Sequence, residues 1–338
     1  MEMRQLTAGY HICAILNGMW QVSGAHGKID RFRALESMFA YVSAGLRTWD
    51  LADHYGPAED LIGEFRRKWC EERGSADLDT IQAFTKWVPR PTTMTAKIVR
   101  DNIQISLTRM GVDCLDLLQF HWWDYNHSGY LSALDALAEL QSQGKIRHLG
   151  LTNFDTPHLQ IIKERGLPIV SNQVQFSVID RRPEVAMIPF CAQHNVKLLA
   201  YGTLCGGLLS EKYLGKPEPR GSLDTASLRK YKNMIDVWGG WGLFQELLQT
   251  LKRIADRHSR PDLTFGIPQV AVKFILDRPQ VAGVIIGARL GISEHIQENL
   301  QILQLHLDPE DNQQIDSFLC RCRNLYQVIG DCGDEYRR

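Results

Sequence analysis

Four residues of this 338-residue chain combine types and spacing that could do chemistry: Asp50, Tyr55, Lys86 and His121. Asp50 and Tyr55 stand five positions apart in the stretch TWDLADHYG, residues 48–56. Lys86 lies 36 residues beyond Asp50, and His121 another 35 beyond Lys86. A phenol is a poor acid at neutral pH, with an ordinary pKa of ~10. A nearby ammonium favours the phenolate and lowers that value. A carboxylate beside the ammonium keeps it charged and placed, so that no unpaired cation is buried. An imidazole can orient a carbonyl oxygen or share in proton transfer. Together the four make a proton donor for a developing alkoxide. Asp53 and His54, in the same stretch, read as solvent-facing loop residues.

Such a site requires residues far apart in sequence to meet, so the elements that carry them matter. Eight short apolar or β-branched runs recur: HICAILN (11–17), LRTWD (46–50), LDTIQAFTK (78–86), CLDLLQFH (114–121), IRHLGLTN (146–153), PIVSNQVQF (168–176), NVKLLAYG (195–202) and VAGVIIGA (281–288). Most are continuously apolar, as parallel strands buried on both faces are. Helix-like segments separate them. Residues 30–45 place Phe32, Leu35, Met38, Phe39 and Val42 on one face and end at a glycine. Residues 95–111 place Ile98, Asn102, Ile105 and Leu107 to Met110 in similar spacing. Strand and helix alternating in this way predict an α/β fold, a (β/α)8 TIM barrel. The structural alternative is a doubly wound sheet. That fold usually carries a G-x-G-x-x-G turn after its first strand, and NGMWQVSG does not fit that spacing.

The barrel is expected to form one domain over residues 1–338. An extra strand is expected within residues 1–17, before the first barrel strand. Residues 215–242, between the seventh and eighth strands, read as a long loop with a short helix, and long loops tend to be functional. Residues 320–338 form a tail that lies over the barrel or at an interface.

In a barrel of this kind the active site lies at the C-terminal ends of the strands. Asp50 ends the second predicted strand, with Tyr55 in the loop that follows. Lys86 ends the third, His121 the fourth, Thr152 and Asn153 the fifth, and Tyr201 the seventh; Asn172 and Gln173 lie in the sixth. The steps of 36, 35 and 32 residues from Asp50 to Lys86, His121 and Asn153 are one strand–helix unit each. These side chains therefore converge on one mouth.

Composition bounds the reading. The chain is 44% hydrophobic and 23% charged, enough for a large core and too apolar for disorder. Its 38 basic and 39 acidic residues form no basic block, so the electrostatic footprint of nucleic-acid binding is missing. No basic leader precedes an apolar run, and no run of 18 or more apolar residues occurs. A soluble, cytoplasmic protein is the expectation. The eight cysteines are scattered and form no disulfide framework; CRC at 320–322 lacks a second half for metal binding. No metal is expected.

With these residues placed, the chain resembles the aldo-keto reductase superfamily. That family's pattern has Asp five residues before Tyr-Gly, then Lys, then His, matched here by Asp50, Tyr55, Lys86 and His121. GKIRHLGLTNF, NQVQFSVIDRR, LLAYGTLCGGLLSEKY and IIGARLGISEHIQENL resemble further family segments, in the family's order. The resemblance implies NAD(P)H-dependent transfer of hydride between nicotinamide and a carbonyl or alcohol, such as an aldehyde, ketone or sugar. Tyr55 would be the general acid or base, Lys86 and Asp50 would tune it, and His121 would orient the substrate. Thr152, Asn153 and Gln173 would hold the nicotinamide carboxamide, and Tyr201 would stack on its ring. Gly18, Trp20, Gly202, Leu204, Gly206, Leu208 and Gly287 would border the NADP(H) cofactor. Arg289 would meet the 2′-phosphate, with Ser293, Gln297, Glu298 and Asn299 near the adenosine.

Departures from the family pattern are visible. Leu51 replaces the threonine after the aspartate, and Gly202 the serine after the strand-7 tyrosine. The segment from Gly287 to Asn299 is longer than in many members, which leaves NADPH against NADH open. Trp20, Trp87, Trp122 and Trp123 each follow a strand end; Trp20, Trp87 and Trp122 are expected to wall a broad apolar pocket, with Trp238 and Trp241 over it. The partner is then a small molecule, with no nucleic acid or membrane. Two other functions fit the same fold. One is an NADPH-binding regulatory subunit of the potassium-channel beta type, distinguished by negligible turnover. The other is an aldolase with Lys86 as Schiff base, which a salt bridge from Asp50 argues against.

Overall fold

The computed structural model describes residues 2–24, 29–219 and 223–337. Two short strands, β1 (Met3–Thr7) and β2 (Tyr10–Cys13), pair antiparallel. Eight more follow: β3 (Ile15–Gly18), β4 (Thr48–Asp50), β5 (Gln82–Trp87), β6 (Leu115–His121), β7 (Ile146–Thr152), β8 (Ile169–Gln175), β9 (Lys197–Tyr201) and β10 (Val281–Gly287). These eight close into a parallel barrel in the order β10-β3-β4-β5-β6-β7-β8-β9. The predicted TIM barrel and the extra strand before it are both present. The run HICAILN is divided between β2 and β3, so its first half belongs to the hairpin and only its second half to the barrel.

Alternation along each strand decides which residues enter the barrel. Leu16, Phe84, Leu117, Leu199 and Ile285 form an apolar layer inside it, joined by Leu6 and Ile12 of the hairpin. The hairpin thus closes the barrel floor. Two positions further along the same strands stand Gly18, Lys86, Gln119, Tyr201 and Gly287, one layer nearer the mouth. The outward positions pack against the helices in one large core.

The helices cover the barrel with faces that partly differ from the sequence reading. In the helix Arg31–Ser43 the buried positions are Ala34, Leu35, Ser37, Met38, Tyr41 and Val42, while Phe32 is 64% exposed. In Ala96–Met110 the buried stripe is Val99, Ile103, Ser106, Leu107 and Met110; Ile98 and Ile105 lie on the solvent side. Two overlapping apolar stripes compete on that helix, and close packing on Ala58–Arg73 selects one of them. At the crossing, a Cβ on Gly63 would stand 2.3 Å from the carbonyl oxygen of Arg109.

The expected long loop between β9 and β10 is largely helical. Helices Ala226–Trp238 and Gly240–His258 abut at Gly239–Gly240 and precede Ile267–Leu276. Residues 220–222 of the predicted loop lie outside the described residues. Trp238 and Trp241 do not cover the pocket. Trp238 stacks on Phe318, and the Trp241 indole N–H donates to the carbonyl of Lys216 at 2.9 Å. Both are buried and fasten the added helices to the barrel. Among the described residues no helix is long and apolar enough to cross a membrane.

Gly63→Ala forces two backbones apart at the helix crossing next to the Tyr55 loop. A loss of about 1–3 kcal/mol is expected, as for other overpacked sites, read as a lower midpoint in thermal or urea unfolding. An unchanged midpoint would mean that the helices do not meet there.

Candidate active site

Asp50 ends β4 and Lys86 sits near the end of β5, the neighbouring strand. Both side chains are almost fully buried, and Lys86 Nζ donates to Asp50 Oδ2 at 2.6 Å. A second Lys86 N–H reaches the carbonyl of Leu51 at 2.8 Å. Leu51 itself is buried, its side chain in the core outside the barrel where the family pattern has a threonine. Burial lowers the Lys86 pKa, and Asp50 opposes the shift. Two amides complete the shell of Asp50. Gln173 Nε2 on β8 donates to Oδ1 at 2.7 Å, and Gln119 Nε2 on β6 donates to the same oxygen at 3.0 Å. A buried carboxylate held by an ammonium and two amides has its charge compensated where it stands.

Tyr55 lies in the turn after β4, half-buried against Trp20 at 5.0 Å between ring centroids. Lys86 Nζ is 5.1 Å from the centre of its ring. The phenol is not made more acidic, as the sequence reading expected. Burial raises its pKa well above the usual value, and the negative charges of Asp50 and Asp53 add to this. The lysine charge is largely spent on Asp50, and desolvation decides the balance. Tyr55 therefore keeps its proton. Asp53 is not simply solvent-facing either. It accepts from the backbone N–H of Val88 at 3.1 Å and tethers the Tyr55 loop to the end of β5, while His54 is exposed beside it.

His121 closes β6 with its ring 4.2 Å from that of Trp123. Burial first, then the charges of Arg337, His54 and Lys86, lowers its pKa to about 3. The imidazole is neutral at physiological pH, and its buried Nε2 has no hydrogen-bond partner among the described residues. Thr152 Oγ1, at the end of β7, is likewise buried and unpartnered among them. Buried polar atoms are rarely left so. Two of them stand at one mouth, where each could bond a polar ligand.

Asn153 follows Thr152 in the left-handed region, φ 57°, and turns its side chain towards β9. Its Oδ1 accepts from the Tyr201 hydroxyl at 2.9 Å. Tyr201 in turn shares a 2.9 Å hydrogen bond with the hydroxyl of Tyr336. Asn172 does not reach the mouth; its amide ties Phe154 through both backbone groups. Gly202 has φ 74°, and a Cβ there would stand 2.2 Å from the Tyr231 hydroxyl. Tyr231 thus fills the space where the family pattern has a serine.

The tail segment Gly333–Arg337 lies across this mouth. Buried Arg182 grips it, with its Nη1 donating to Glu335 at 2.9 Å and to the Asp331 carbonyl at 3.0 Å while Asp180 holds the other edge at 2.8 Å. Lys230 bonds the Tyr336 hydroxyl, and Arg337 bonds the carbonyl of Asn153. The Tyr336 ring stands edge-on to His121 and to Trp123.

The tryptophans divide by strand parity. Trp20 does border Tyr55. Trp87 and Trp122 do not wall the pocket. Each follows an inward residue, Lys86 or His121, and so points outward; both are buried against Phe120 beneath the helices. The residue at the mouth is Trp123, half-buried on His121.

The predicted cofactor border is brought together in part. Gly18 and Gly287 end adjacent strands in register, and the Gln21 side chain lies where a Cβ on Gly287 would be. Leu204, Gly206 and Leu208 flank a tight turn at Cys205–Gly207, with Gly206 at φ 67° against Ser227 and Tyr231. Arg289 is exposed and bridges to Ser293, whose hydroxyl is buried and unpartnered among the described residues. Asn299 is buried in the short helix Ile296–Ile302, while Gln297 and Glu298 are exposed on it. Gln119 and Tyr336 carry no expectation from the sequence, and Trp123 is noted there only as following a strand end. Strand alternation signals Gln119 and Trp123; nothing local signals Tyr336.

Residues 14–319 match the model of the aldo/keto reductase family. The NADH-specific methylglyoxal reductase of Escherichia coli is 24% identical over 87% of this chain and 90% of its own. Flagellar radial spoke protein 5 of Chlamydomonas reinhardtii is 30% identical over 61% of this chain, a match that spans 46% of that longer protein. A thermostable aldo-keto reductase solved with the inhibitor epalrestat superposes with a TM-score of 0.71 at 27% identity, over 94% of this chain and 100% of that one. The chain belongs to the aldo/keto reductase family of oxidoreductases.

Proposed function

We propose that the chain is an NADP(H)-dependent carbonyl reductase, or alcohol dehydrogenase in reverse, in which Tyr55 moves the proton. The observation that carries this reading is the buried Asp50–Lys86 pair beside the Tyr55 ring, at the same mouth as the unpartnered Nε2 of His121. A phenol that retains its proton suits the reducing direction, where an alkoxide is a much stronger base than phenolate. The ammonium of Lys86 is near enough to stabilise the phenolate left behind. In the tautomer that carries its proton on Nε2, neutral His121 can donate to the carbonyl oxygen and fix the face it presents. Bonding of Lys86 to Asp50 favours a charged lysine over a Schiff-base nucleophile.

The residues at the mouth fit a nicotinamide cofactor. Thr152 offers an unpaired hydroxyl, Asn153 and Gln173 offer amides, and Tyr201 offers an aromatic face. Exposed Arg289 and the unpartnered Ser293 hydroxyl would receive the 2′-phosphate end, which favours NADPH over NADH. When bound, the cofactor supplies the hydride; the protein supplies orientation and electrostatics. Substrates are small aldehydes, ketones or sugars entering beside Trp20 and Trp123.

Two experiments test this reading. Oxidation of NADPH by a panel of aldehydes should fall at least ~100-fold in Tyr55→Phe, the usual order for losing a general acid, while NADPH binding persists. Equal turnover in both proteins would refute the assignment. The second concerns Tyr336, which is bonded to Tyr201, while Arg337 takes the carbonyl of Asn153. Cofactor loading must exchange these tail contacts, so Tyr336→Ala should tighten NADPH binding several-fold in a fluorescence titration. Weaker binding would instead make Tyr336 part of the cofactor's own wall.

A further inference from the structure

Gln119 has no place in the proton transfer just described, yet its side chain is fully buried at the centre of the site. It lies on β6 two positions before His121, so both point into the barrel. Its surroundings fix which way its amide faces. An ionised carboxylate only accepts hydrogen bonds, so the amides of Gln119 and Gln173 must both turn Nε2 towards Asp50 Oδ1. The second N–H of Gln173 then meets Gln119 Oε1 at 2.8 Å. The three side chains close a ring of hydrogen bonds around one carboxylate oxygen. Turning the Gln173 amide over would set its carbonyl against both a carboxylate and the Gln119 carbonyl.

We propose that Gln119 is a positioning residue that couples the two halves of the reaction: it holds the Asp50 carboxylate beside Lys86 and locks the Gln173 amide so that its carbonyl oxygen is offered to the cofactor carboxamide. The second half rests on the assignment of nicotinamide to this mouth. Through this ring, a change at the proton-donating side reaches the cofactor side by two routes, the direct Gln173–Asp50 bond and the path through Gln119. The charged and titratable groups facing Asp50 are Lys86 from β5, Tyr55 and Asp53 from the β4 loop and His121 from β6, with Tyr201 and Tyr336 beyond. Gln119 is an uncharged member of the ring, and altering it removes none of them.

The test uses Gln119→Leu and Gln119→Glu in the full chain. Leucine removes the donor to Asp50. Glutamate sets a second carboxylate against it, and its own folded-state pKa must then rise. A raised folded-state pKa means that stability is present at low pH and lost as pH rises through that value. In thermal unfolding of the cofactor-free protein, Gln119→Glu should therefore approach the wild type as pH falls and fall away from it at neutral pH. The Gln119→Leu deficit should stay nearly constant. NADPH binding to Gln119→Leu should weaken on the order of tenfold as Gln173 is released. Unchanged NADPH binding by Gln119→Leu would overturn the proposal and leave Gln119 as packing. A Gln119→Glu deficit without pH dependence would also overturn it, since Gln119 would then not face Asp50. If Tyr55→Phe keeps full turnover while the unfolding series and NADPH binding follow the predicted order, the general-acid reading fails and the Gln119 contacts stand.

Discussion

The buried ion pair between Asp50 and Lys86 is the interaction on which the rest of the site depends. Removing two charges from water costs several kcal/mol per ion, and the pair's attraction repays this only with good geometry and further hydrogen bonds. The barrel provides both. β4 and β5 set the charges side by side at 2.6 Å, while β6 and β8 each send one glutamine amide to the same carboxylate. Below lies a floor of Leu16, Phe84, Leu117, Leu199 and Ile285, sealed by the hairpin. The polar layer thus rests on a dry base and faces a mouth lined by Tyr55, His121, Thr152 and Tyr201.

This arrangement explains why Tyr55 is a protonated phenol. The lysine charge that could have lowered its pKa is compensated by Asp50, and burial then dominates. In the proposed reaction, this is the form of the acid that reduction of a carbonyl consumes. His121 is neutral for a related reason: burial disfavours the imidazolium, and the nearby charges of Arg337, His54 and Lys86 add to this.

Much of this was legible in the sequence, because a barrel converts chain spacing into position. Asp50, Lys86 and His121 recur at one strand–helix interval, and that interval is enough to bring them to one mouth. Strand ends alone mislead where strand faces matter. Trp87 and Trp122 each follow an inward polar residue, so alternation places them outside the barrel; the same rule places Gln119 inside. The helices at 226–258 were hidden by the glycines at 239 and 240, which join two helices and look like a turn. Tyr336 was beyond reach. Its contact with Tyr201 spans 135 positions and depends on Arg182 gripping Glu335, a pairing that no local pattern announces.

The most direct test is a double-mutant cycle on the central pair. Asp50→Asn, Lys86→Met and the double variant are compared by kcat/KM for an aldehyde that the wild type reduces with NADPH. Groups that act as one unit are strongly non-additive. The account predicts that the double variant is no worse than the poorer single variant. Losses that multiply would contradict it, because Asp50 and Lys86 would then serve the reaction independently.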